Sequence, residues 1–202
     1  MVPNNGAAAY LWRHICSSKH ERRFIVGNLT FGRPDGNEYA PFYANYVALA
    51  TEEDVLVGLK NQLDEALKLL RGLPETVANT RHAPYTWSVK QVIGHITDAE
   101  RVFSYRAMRF ARNDPTPLPS FDENLYVTNA NFDANQFNDV LDEFEYLRRA
   151  DISLFRQLAP EARERVGIAS NHPVTVRALA YVIVGHTRHH MNILHKRLVG
   201  QA

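Results

Sequence analysis

The chain has 202 residues, 45% hydrophobic and 22% charged, with a formal net charge of +1. That is the balance of an ordinary globular protein, and it gives no case for a nucleic-acid partner, whose binders concentrate basic residues on one face. The lone Cys16 excludes an intramolecular disulfide and fits a reducing compartment, while Arg177 and His186 break the longest apolar run short of the roughly 18–20 residues that span a bilayer, so a soluble, cytoplasmic protein with no membrane partner is expected.

Residues 1–30 differ from the rest. Arg13, Lys19, Arg22 and Arg23 face Glu21 as the single acid, a pattern that fits an organellar transit peptide or, as the favoured reading, a disordered extension without chemistry of its own. Four helical patterns follow. Thr51-Glu52-Glu53-Asp54 has the form of a capping box, Leu56, Leu59, Leu63, Leu67 and Leu70 mark one face, and Gly72 with Pro74 ends it. Ser88 opens a second capping box with Gln91, followed by the stripe Val92, Ile96, Ala99, Phe103, Ala107 and Phe110, and Asn113-Asp114-Pro115 stops it. The connection over 113–133, with Pro115, Pro117, Pro119 and Asp122-Glu123, is long enough to be functional. Asp133 is the expected cap of a third helix carrying Phe137, Leu141, Phe144, Leu147, Leu154, Phe155 and Leu158 inward, and Thr175 that of a fourth running to about Leu198. The segment around Gly167, Asn171, His172 and Pro173 reads as a linker, and no strand-period segment competes. Four such helices are enough for one bundle in an all-α domain.

Polar residues interrupt two of these apolar faces. His186 and His190 continue the spacing of Val176, Leu179 and Ile183, and His95 lies beside the stripe of the second helix. A single buried histidine is more often a hydrogen-bonded core residue than a ligand. Two on one packed face are harder to account for, because unpartnered polar rings there cost roughly 1–3 kcal/mol each. Residues at i and i+4 project to the same side of a helix, so both imidazoles can close on one metal ion, and His95 is the candidate third ligand. His189, at i+3 from His186, is the alternative partner, lying off the stripe. Three neutral imidazoles with an open position form a catalytic rather than a structural zinc arrangement; nickel, iron or manganese suit the same nitrogens.

Asp98, three residues after His95, is the candidate general base or imidazole-orienting acid, with a salt-bridged acid as the plain alternative. Glu100 and Arg101 turn away from His95 in an ideal helix, and Arg106, Arg109 and Arg112 read as a solvated face. Trp87 reads as a packing staple before the Ser88 cap. Asp122, Glu123 and Tyr126 are lid or substrate-contact candidates by their place in the long connection, and His172 and His195 read as surface residues.

The segment from Trp87 to Arg101, the proline-rich stretch ending Phe121-Asp122-Glu123, and Val174-Thr175-Val176-Arg177-Ala178-Leu179 through Gly185-His186-Thr187-Arg188-His189-His190 together resemble the DinB-like superfamily, over residues 36–199. The resemblance implies a four-helix bundle with a long crossover connection and a divalent metal, often zinc or nickel, on three histidines that here match His95, His186 and His190. Similar proteins include thiol S-transferases using bacillithiol or mycothiol and a maleylpyruvate isomerase, and dimers are common among them. The expected function is therefore metal-dependent chemistry on a small molecule, a low-molecular-weight thiol transfer or a hydrolysis. The alternative is a non-catalytic metal-binding or stress-associated module.

Overall fold

The computed structural model describes residues 30–199. Cys16, Gly200 and all but the last residue of the 1–30 extension lie outside the described residues. In chain order the described residues form α1 (Ala44–Leu49), α2 (Val55–Leu70), α3 (Glu75–Ala78), α4 (Val89–Ala111), α5 (Glu123–Ala130), α6 (Phe137–Arg156), α7 (Pro160–Arg163), β1 (Val166–Ala169), β2 (His172–Thr175) and α8 (Val176–Val199). The bundle is α2, α4, α6 and α8. Both α2 and α4 pack against α6 and α8, so α2 lies across the bundle from α4 and α6 from α8. The intervening segments 71–88 and 157–175 supply the length for these diagonal crossings. No helix of the described residues is long and apolar enough to cross a membrane.

Local chemistry sets each helix start. Ser88 Oγ accepts from Gln91 N at 3.1 Å and Gln91 Oε1 accepts from Ser88 N at 3.0 Å, completing the expected capping box. Thr175 Oγ1 accepts from Ala178 N at 3.1 Å, as expected of the cap of α8. The other two starts differ from expectation. Asp54, not Thr51, caps α2 by accepting from Leu56 N, and Glu52 is drawn off to an ion pair with Arg188 on α8. At α6 no local side chain caps; Glu75 of α3 accepts from Phe137 N at 2.6 Å and pairs with the buried Lys90 at 2.6 Å. Asp133 instead accepts from Ser88 Oγ and pairs with Arg81.

Two segments expected to be irregular are ordered. The 113–133 connection holds α5, capped by Asp122, and the 157–175 linker holds α7 and an antiparallel hairpin of β1 on β2. Ser170 and Asn171 turn the hairpin with φ of 52° and 64°, the left-handed pair that suits the twist of a two-residue turn. Leu118 bridges to this hairpin, donating to Ile168 O at 2.9 Å and accepting from Ser170 N at 3.0 Å. That contact fixes the proline-rich connection over one end of α4 and α8.

Glycine precedes two of the candidate ligands for a packing reason. A Cβ on Gly185 would strike the backbone of Tyr46 in α1, and one on Gly94 would strike the ring of Phe132. The missing side chains let α1 lie against α8 and Phe132 against α4 beside the histidines.

The interior also carries charge. Arg148 of α6, 0% exposed, is bidentate to Glu100 of α4 at 2.6 and 2.7 Å and donates to Thr187 Oγ1 of α8 at 2.9 Å and to Leu59 O and Gln62 Oε1 of α2. One network thus ties all four bundle helices. Asp151, buried beside it, has one carboxylate oxygen without a hydrogen-bond partner. Burial, followed by the charge of Glu100, pushes its carboxyl up to about 8. An unfolded aspartate ionises near 4, so the folded chain holds an extra proton between about pH 4 and 8, and stability declines as pH rises across that window. Asp151→Asn, which stays neutral, is expected to gain thermal stability relative to the parent as pH goes from 5 to 8. Melting curves at both pH values check this, and a constant difference contradicts it.

Candidate metal centre

His95 projects from α4, and His186 and His190 from α8. Their Nε2 atoms converge: His95 Nε2 lies 3.0 Å from that of His186 and 3.2 Å from that of His190. Among the described residues these three histidines form the one group of potential metal ligands with atoms within 4.8 Å of one another. His95 and His186 are 6% and 5% exposed, and His190 is half-buried.

Burial is the main force that lowers their basicity. It takes His95 down to about 4, against the opposing field of Glu123, and His190 to about 3; His186 also falls well below the ordinary histidine value, with the other imidazoles and Arg148 adding to burial. All three are neutral near pH 7, the state a metal ligand requires. Three neutral imidazole nitrogens pointed at one another cannot all be satisfied by their own protons, whereas one cation satisfies all three. At a zinc–nitrogen bond of 2.0–2.1 Å, tetrahedral ligands stand about 3.3 Å apart, close to the spacing seen. The residues fit a divalent ion.

His189 is exposed and outside this group, with its ring 5.0 Å from that of His190 and 5.8 Å from that of Tyr46. The i+4 pair therefore meets His95 and the i+3 alternative does not. His172 and His195 are exposed, as expected.

The histidines open onto a cavity of about 320 Å³, whose walls include Phe42, Tyr43, Tyr46, Trp87, Phe103, Arg106, Phe121 and Glu123. The indole of Trp87 lies 4.9 Å from the His95 ring, so this residue, expected only to pack, also bounds the site. Glu123 reaches it as the first residue of α5. Asp122 caps that helix, and Tyr126 faces an adjoining cavity of about 350 Å³ together with Asp98, Arg101 and Tyr105. Asp98 is half-buried there, its carboxyl pushed up by burial, and meets Arg101 Nη1 at 3.4 Å. Arg106, Ser120 and Phe121 border both cavities.

The solvated-arginine reading holds for Arg112, which is exposed. Arg109 is half-buried and paired with Asp114. It fails for Arg106, 2% exposed, because acceptors from three separate segments enclose its guanidinium, and nothing in the pattern of α4 announces them. Glu100, read as turned away from His95, is buried against Arg148.

A family model described as the DinB superfamily matches residues 59–194. Among solved structures, YfiT from Bacillus subtilis, described as "a probable metal-dependent hydrolase with an unusual four-helix bundle topology", matches with a TM-score of 0.61 at 16% identity, covering 85% of this chain and 98% of that one. A search of curated proteins returns no match.

Proposed function

The chain belongs to the DinB superfamily, and from that premise we propose that it is a metal-dependent enzyme acting on a small molecule, as a hydrolase or as a transferase of a low-molecular-weight thiol. The observation that carries this reading is the count of ligands. Three imidazoles converge with no fourth ligating side chain in the group among the described residues, and they border a cavity rather than a sealed core. Structural zinc is closed by four protein ligands, and catalytic zinc keeps a position free. Zinc or nickel is the proposed ion, with iron and manganese suited to the same nitrogens.

When bound, the ion supplies Lewis acidity that lowers the pKa of a water or thiol at its remaining position. The chain does the rest. Phe42, Phe103, Phe121 and Trp87 exclude water and hold an apolar body. Proton transfer is assigned to a carboxylate positioned near the reactant: Glu123 lines the histidine cavity, and Asp98 lines the adjoining one, which shares Arg106, Ser120 and Phe121 with it. The hydrolase description of the YfiT neighbour favours testing hydrolysis first.

The test is a panel of ester and amide hydrolyses and of thiol transfers to electrophiles, run before and after chelation. Turnover of at least one class is expected, to be lost with chelator and restored by zinc or nickel. Turnover indifferent to chelation, or none in either class, contradicts the proposal and favours a binding module without catalysis.

A further inference from the structure

Arg106 stands on the same helix as His95, on the wall of the same cavity. Its guanidinium donates to Pro119 O at 2.6 Å, to Ser170 Oγ at 3.2 Å and to the Tyr43 hydroxyl at 3.4 Å. Every one of these acceptors is neutral. Of the other buried arginines, Arg148 is neutralised by Glu100, whereas Arg197, like Arg106, has no carboxylate partner among the described residues; what sets Arg106 apart is that it lines the cavity onto which all three histidines open. A cation removed from water without a counter-charge is unfavourable, and an anion entering the cavity relieves it. Glu123 borders the cavity without forming an ion pair with Arg106, and its field acts on His95 and Tyr46.

The spacing of groups limits what such an anion is attached to. The Phe103 ring lies 6.0 Å from Arg106 Cζ and 5.9 Å from the His186 ring, so the guanidinium and a metal-binding imidazole flank the same aromatic ring. Phe121 flanks the guanidinium on another side, also at 6.0 Å. The cavity thus brings together a buried cation, two aromatic rings beside it and a set of metal ligands.

We propose that Arg106 anchors the substrate of this site, and that the substrate is a small carboxylate with a flat apolar body. Its carboxylate accepts from Nε or Nη1, the guanidinium donors that Pro119 and Ser170 leave free, in a charge-assisted bond, and its reacting group lies toward the histidines. What happens to the ligand rests on the functional reading above; its recognition by Arg106 does not, because the guanidinium is fixed by protein acceptors and not by a metal.

Ligand-observed NMR titrations of the full-length protein with benzoate and with benzamide, in zinc-loaded and in chelated metal-free protein, test this. Benzoate is expected to bind about tenfold or more tightly than benzamide in both forms, the gain of a charge-assisted bond over a neutral one. Arg106→Gln is expected to abolish that preference while leaving benzamide affinity within about threefold, and Arg106→Lys to restore part of it. A purely structural role for Arg106 would weaken both ligands together. No preference in the metal-free parent, a preference present only with zinc, or a preference that survives in Arg106→Gln each overturns the proposal. If Arg106→Gln does not fold, the metal-free parent decides alone. A chain that binds no zinc yet prefers benzoate through Arg106 keeps this inference and loses the functional reading.

Discussion

Arg148→Met is expected to cost about 3–5 kcal/mol of folding stability, the range found when one member of a buried ion pair is removed. The reason is what it leaves behind. Glu100, 1% exposed, loses both hydrogen bonds to the guanidinium, and Thr187, Gln62 and the Leu59 carbonyl lose their shared donor. Each of the four bundle helices gives up a contact at once. Replacing the pair together, Arg148→Met with Glu100→Leu, is expected to recover much of the loss, because apolar groups of similar volume need no partners. Urea denaturation of both variants measures this. A loss below about 1 kcal/mol for the single variant would show that water or a shifted carboxylate takes over the role of Arg148.

His95→Ala, His186→Ala and His190→Ala are each expected to lower affinity for a divalent ion by at least about tenfold, more than the loss typical of removing an outer-shell partner at its low end. His189→Ala is expected to leave it unchanged. The contrast follows from geometry: the three Nε2 atoms share one point, while the His189 ring stands outside it against Tyr46 and His190. Each alanine variant also removes a buried, poorly partnered ring, so losses in stability are expected to be modest beside the loss of metal. Equal loss at His189 would mean that α8 presents a different pair.

The features legible in the sequence were those with local causes. The ligand set could be read because helical periodicity places His186 and His190 on a stripe that must face inward, and the Ser88 and Thr175 caps because their acceptors lie three residues from their donors. What escaped has partners far along the chain. Glu75 caps α6 across 62 positions, so the local candidate Asp133 looked better than it was. Arg106 reads as solvent-facing until Tyr43, Pro119 and Ser170 are brought to it by three other segments. Asp98 sits on the same helix as His95 yet faces the adjoining cavity, because the proline-rich connection divides the space above α4 in two. The hairpin in the last linker had a signal in Ser170-Asn171, but four-residue strands, one of them containing Pro173, give periodicity too little length to register.

The three-histidine centre is tested most directly by titrating chelated, full-length protein with zinc and measuring bound metal per chain, beside the variant lacking His95, His186 and His190 together. One ion per parent chain and none in the triple variant is the expected result. A parent chain that takes up no ion, or a triple variant that binds as the parent does, would contradict a metal centre at these residues.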